Sequence, residues 1–152
     1  MMDAIVLSTA LTALLANIGL GGGIFEHGVI DHAWPRKPEI VQPRKGGISR
    51  VRFWIPAHSA FELVLLVTLY LGWGHGDVRK ALLLALAAHL AMRLWSAFDM
   101  IPKAIAFEKA EAVDEAAARD WTKRSLMRFP LALLTSLAAL AAFGAACGLN
   151  LG

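Results

Sequence analysis

Five side chains interrupt long apolar stretches of this 152-residue chain: His58, Glu62, His89, Arg93 and Asp99. An imidazole and a carboxylate four residues apart share one helical face, and such groups can move a proton. An arginine opposite them can stabilise an oxyanion or hold the carboxylate ionised. On the later stretch His89, Arg93, Ser96, Asp99 and Lys103 follow the i, i+4, i+7, i+10, i+14 series. They form one polar stripe on an otherwise Leu/Ala helix.

The elements that must position these groups are apolar helices. Hydrophobic residues make up 57% of the chain and charged residues 18%. Soluble domains average roughly 45–50% apolar even with glycine counted. The charges are concentrated: 9 lie in 26–52, 11 in 103–128 and 7 elsewhere. This pattern excludes a disordered chain, a nucleic-acid-binding module and an ordinary soluble enzyme. It predicts an all-α fold, an integral membrane four-helix bundle in one domain. The spans are 4–25, 54–73, 79–101 and 129–149, each near the ~20 residues that cross the hydrocarbon core. A loop, 26–53, follows the first span, and a helical extension, 102–122, follows the third after a break near Pro102. Twelve Lys and Arg lie in the first and third loops, against Arg79 and Lys80 in the second. The positive-inside rule then makes loops 1 and 3 cytoplasmic and puts both termini outside. The expected location is a membrane, multi-pass, and in a bacterium the inner membrane. No cleavable signal peptide is expected. Cys147 is the one cysteine, so an internal disulfide is excluded.

Depth follows from the helical rise. Counting inward from Trp54, His58 lies ~6 Å and Glu62 ~12 Å deep. Counting back from Ile101, Asp99 lies ~3 Å, Arg93 ~12 Å and His89 ~18 Å deep. Glu62 and Arg93 therefore match on adjacent antiparallel helices. Because a charge at a helix centre costs ~2.5–3.5 kcal/mol in lipid, such groups are expected to face the bundle interior with a partner. Two readings compete, an ion pair that fixes helix register and a pocket open to the cytoplasm. The pocket reading makes His58, Glu62, Arg93 and His89 catalytic. Trp54, Trp95, Asp99 and His27 would bind substrate, and Gly19–Gly23 would let a helix or a flat ligand approach the first span. His58, Glu62 and His89 are acceptable ligand types for iron, zinc or copper. The ~12 Å offset between the histidines and the lack of an HExxH motif weigh against a metal, and the offset weighs against bis-histidine haem.

The segments GGGIFEHGVIDHAWP, GGISRVRFWIPAHSAFE, HLAMRLWSAFDMIPKAIAFEKA and DWTKRSLMRFP together resemble the small four-helix membrane proteins of the anthrone-oxygenase-like family. The resemblance covers nearly the whole layout. It implies a four-helix bundle, and in some fungal polyketide pathways relatives oxidise an anthrone to an anthraquinone. It carries over to Phe53, Trp54, His58, Glu62, Arg93 and Trp95. RFWIPAHSAFE is more weakly similar to the R-x-x-x-x-N-x-x-E pattern of the membrane-associated eicosanoid and glutathione metabolism family, with Ser59 in place of the asparagine. That similarity implies a glutathione-dependent membrane transferase. The resulting expectation is an oxidoreductase or oxygenase acting on an apolar aromatic or quinone-like small molecule drawn from the lipid bilayer. With no nucleotide-binding signature, its redox partner would be dioxygen, a quinone or glutathione. The alternative is a non-enzymatic scaffold or accessory subunit with a structural Glu62–Arg93 pair, and a homo-oligomer is compatible with either.

Overall fold

A computed structural model describes residues 2–148, and every regular element among them is helical. The first rod is α1 (Met2–Phe25), continued by a π-helical turn at Glu26–Ile30 into α2 (Asp31–Ala33). The second is α3 (Val51–Leu71). The third is α4 (Gly76–Trp95), continued by a π-helical turn at Ser96–Met100 into α5 (Ile101–Lys109). The fourth joins α6 (Glu115–Leu126) to α7 (Phe129–Gly148). Each of the four is long and apolar enough to cross a membrane.

The rods differ in length, and that difference shapes the molecule. Gly76–Lys109 and Glu115–Gly148 have 34 residues each, about 51 Å at the helical rise. Helix α3 has 21, about 32 Å. The excess gathers at the end that carries the two long basic loops, called here the loop end. There Trp34, Val41, Met100, Ala118 and Trp121 form a second core, separate from that of the bundle.

In the bundle α1 lies against α3 and α7, and α7 lies against α4. Ala138, Ala139, Ala142 and Ala146 are buried on α7 and face Ala85 and Leu82 of α4 across one shared core. Small residues let the backbones approach closely. The Thr12 and Thr68 hydroxyls meet at 2.9 Å between α1 and α3. Ser136 Oγ donates to Asn17 Oδ1 at 2.9 Å between α7 and α1. Helices α3 and α4 meet only sparsely, leaving a seam.

Two expectations at the loop end are corrected. The segment 26–53 is helical at both ends, to Ala33 and from Val51, with 3₁₀ turns at Pro38–Val41 and Pro43–Lys45 between. The helical extension 102–122 does not break at Pro102. It runs from Ile101 to Lys109 and breaks over 110–114. Pro102 is the second residue after the π turn, where the ladder has already shifted to Ile101 N–H donating to Ser96 O. The break has its own signals. Asp114 accepts from Ala116 N at 2.9 Å and caps α6, as a helix N-terminus favours. The buried Gln42 donates to the carbonyls of Phe107 at 2.8 Å and Ala110 at 2.9 Å, ending α5.

Gln42 is held by a turn that demands glycine. Gly46 has φ +85°, and a Cβ on Gly47 would stand 2.0 Å from the Glu39 carbonyl oxygen. Gly47→Ala is expected to cost ~1–3 kcal/mol through overpacking, lowering the thermal midpoint in detergent by several degrees. Gly19→Ala, whose Cβ would meet nothing within 4 Å, should not lower it. A Gly47→Ala protein as stable as the wild type would contradict this packing of the loop against α5.

Candidate functional site

The segments around the second core at the loop end form a cap over the bundle, and where the two meet the chain surrounds a cavity of about 440 Å³. Gly19, Gly23, Glu26 and His27 of the first rod form one wall, and Trp54 and His58 of α3 another. His89, Arg93 and Ser96 come from the α4 rod, with Glu108 below them on α5. Trp121, Ser125, Arg128 and Thr135 complete the wall from the α6–α7 rod. Gly19 leaves open space where a side chain would stand. Gly22, by contrast, lies so close to the Phe53 ring that a Cβ would meet it at 2.4 Å.

The histidine wall is an aromatic ladder. The His58 ring stacks on Trp54 at 5.2 Å with 20° between planes. His58 and His89 lie 5.4 Å apart, and Phe61 meets His89 edge-on at 4.8 Å. The two histidines are thus not separated by the ~12 Å expected from backbone rise. That count levelled Trp54 with Ile101 and took no account of side-chain reach, while the third rod runs on as helix beyond Ile101. The offset therefore no longer weighs against a shared ligand. Among the described residues, no three His, Cys, Asp or Glu side chains are grouped to hold a metal ion.

Glu62 and Arg93 meet across the seam. A single oxygen, Glu62 Oε1, accepts from Arg93 Nε at 2.9 Å and from His89 Nε2 at 3.0 Å. The expectation that this group faces the interior is only partly met. His89 is buried, but the Glu62 and Arg93 side chains are 38% and 36% exposed, and Glu62 does not line the cavity. The sparse packing of α3 on α4 leaves the pair in an open seam, where it acts as a latch.

The remaining expected residues divide. His27 lines the cavity and donates to Asp31 Oδ2 at 2.8 Å, while Asp31 Oδ1 accepts from Trp34 Nε1 at 2.9 Å. Trp54 lines it and donates to Glu26 Oε2 at 2.6 Å. Trp95 and Asp99 do not line it. Asp99 is held by Lys103 at 2.6 Å and by Arg124, with Trp95 Nε1 at 3.3 Å. These two residues fasten α6 to the third rod.

Sequence reasoning missed Arg50, Glu108 and Arg128 as cavity residues and counted the arginines only as loop charges. Arg50 is 8% exposed, with Glu26 at 3.4 Å and Glu108 at 3.8 Å. Its guanidinium lies 5.5 Å from the Trp34 ring and 4.8 Å from the Trp121 ring. Arg128 reaches the hydroxyls of Ser96 and, at 2.7 Å, Ser125. One signal was present: Trp121, Ser125, Arg128, Ala132 and Thr135 recur at i, i+4, i+7, i+11 and i+14 through the α6–α7 junction, a single helical face.

Among known proteins, the chain matches no family model, no curated protein and no solved structure.

The latch makes a coupled prediction. Glu62→Met strands a buried imidazole and a cation, and a lost partner of this kind costs ~1–3 kcal/mol. Arg93→Met leaves Glu62 with only His89. The double variant Glu62→Met/Arg93→Met is expected to lose less thermal stability than the two single losses added together. Strict additivity would show that the pair does not close the seam.

Proposed function

We propose that this is a multi-pass membrane protein whose loop-end cavity binds and oxidises an apolar aromatic or quinone-like molecule drawn from the bilayer. The bias of twelve basic residues to two supports placing the loop end in the cytoplasm and both termini outside. The cavity then lies in the cytoplasmic half of the bilayer, in contact with the headgroup region.

The observation that carries the reading is His58. It faces the cavity, is stacked on Trp54 and, among the described residues, spends neither ring nitrogen on a hydrogen bond. An imidazole that faces the cavity with no hydrogen-bond partner has a nitrogen lone pair free to accept a proton from a bound molecule. Arg93 lines the same chamber and supplies a positive charge for the oxyanion that results. Glu62 acts as a positioning residue, fixing Arg93 and His89 from outside. For an anthrone-like substrate, His58 would take a proton from the activated methylene, giving the enolate. Dioxygen would then accept electrons from that enolate, one oxygen atom ending in the new carbonyl and the other in water. Such a step needs no bound metal.

The exposed latch favours a second reading, an accessory subunit in which Glu62–Arg93 is structural and the cavity has no turnover.

The test is oxygen uptake with anthrone, together with native mass spectrometry of detergent-purified protein. Wild type should speed the reaction, consuming one dioxygen per anthraquinone. His58→Gln should slow it about 100-fold or more, as loss of a general base does, with an unchanged yield of folded protein. No acceleration over buffer, together with no co-purified hydrophobe, would leave the accessory reading standing.

A further inference from the structure

The part of the cavity nearest the loops has a different chemistry from the histidine wall. Two of its arginines have donors with nothing to bind. Arg50 Nη2 and Arg128 Nε are both buried and, among the described residues, have no hydrogen-bond partner. Arg50 is more than nine-tenths buried. Arg128 has only hydroxyl partners among the described residues, Ser96 and Ser125. A buried guanidinium donor left unpaired is costly, and Arg is the side chain best suited to carboxylate and phosphate oxygens. The carboxylates already present do not fill the need, since Glu26 and Glu108 stand 3.4 and 3.8 Å from Arg50 through its other nitrogens.

The same chamber has an apolar way out. Ile55 on α3 and Ile101 and Ile105 on α5 line the cavity, yet are 61%, 43% and 40% exposed. They flank the α3–α4 seam on the loop side of the Glu62–Arg93 latch. Helix α3 begins beside Arg50, and Ile55 lies five residues further in, about 7 Å along the axis. The cation therefore stands at headgroup depth and the apolar slot just below it. This order matches a lipid in its own leaflet, acid outward and chain inward.

We propose that the cavity takes an amphipathic oxyanion, a single-chain lipid with a carboxylate or phosphate head. Arg50 and Arg128 hold the head, and the chain leaves between Ile55 and Ile101/Ile105 into the bilayer. The inference rests on the cavity being a binding site within a membrane, and not on oxidation at His58.

The test uses detergent-purified full-length protein and the fluorescence of cis-parinaric acid, with its methyl ester as the neutral twin. The acid should bind about tenfold or more tighter than the ester, the worth of one charge-assisted hydrogen bond. Arg128→Gln should remove that preference and leave ester binding unchanged. Ile105→Trp, which narrows the slot and leaves both arginines in place, should weaken acid and ester alike. Acid and ester binding equally would overturn the anionic head and leave the cavity reading intact. Binding of neither would overturn the cavity reading itself. Displacement of the acid by millimolar acetate or inorganic phosphate would show a site for soluble anions and overturn the lipid assignment.

Discussion

The guanidinium of Arg50 is the point through which the loop end is assembled. It sits at the start of α3 and reaches Glu26 on the first rod, Glu108 on α5 and the faces of Trp34 and Trp121. One charged group thus ties together segments from all four rods. A cation so buried is stable only when opposite charge and polar or aromatic faces surround it. The cap supplies these, which is why loop 26–53 and the α5–α6 hairpin fold onto each other. Gln42 extends the arrangement by ending α5 where Glu108 can reach Arg50.

The bundle below is asymmetric for a related reason. Alanine faces draw α7 onto α4, and α1 packs on both α7 and α3. Much less draws α3 to α4, where the Glu62 tie to His89 and Arg93 joins the Phe61 ring packed on His89. Helix α3 is also the short rod, and the three longer ones overhang its first turns. A chamber follows under the cap, bounded deeper in by the latch and flanked by isoleucines on the open side. Packing alone would have filled this space. Gly19 and Gly23 keep the opposing wall low where larger residues would have done so.

Much of this was legible in residue spacing. Four apolar segments and two basic loops read directly from hydropathy and charge. The shared face of His58 and Glu62, and the stripe through His89 and Arg93, bring together residues that do meet. What spacing could not give was the facing direction. Glu62 and Arg93 read as an interior pair because charge in lipid is costly, but they lie in a seam that only tertiary packing opens. The cap was hidden for a different reason. The end of its helix α5 is set by a distant residue, Gln42, while the local signal over 102–122, the N-cap Asp114, marks only where α6 begins. Arg50 and Arg128 were hidden by their company, because arginines in a basic loop read as topology signals until the fold buries them.

The division of labour within the site follows from hydrogen-bond capacity. Glu62 Oε1 already accepts from two donors, and both need the carboxylate ionised. Were Glu62 to take a proton from a substrate, it would weaken the bonds that place Arg93 and His89. A base that dismantles its own oxyanion support is poorly matched to the transition state. His58 carries no such duty. Its ring is oriented by stacking on Trp54, and Trp54 is itself fixed by Glu26, the carboxylate that also meets Arg50. In the proposed reading the His58 ring is thereby aimed by the same contacts that assemble the cap, while Glu62 fixes the Arg93 guanidinium across the seam. Chamber, imidazole and positive charge thus depend on two polar ties, Glu26 with Arg50 and Glu62 with Arg93.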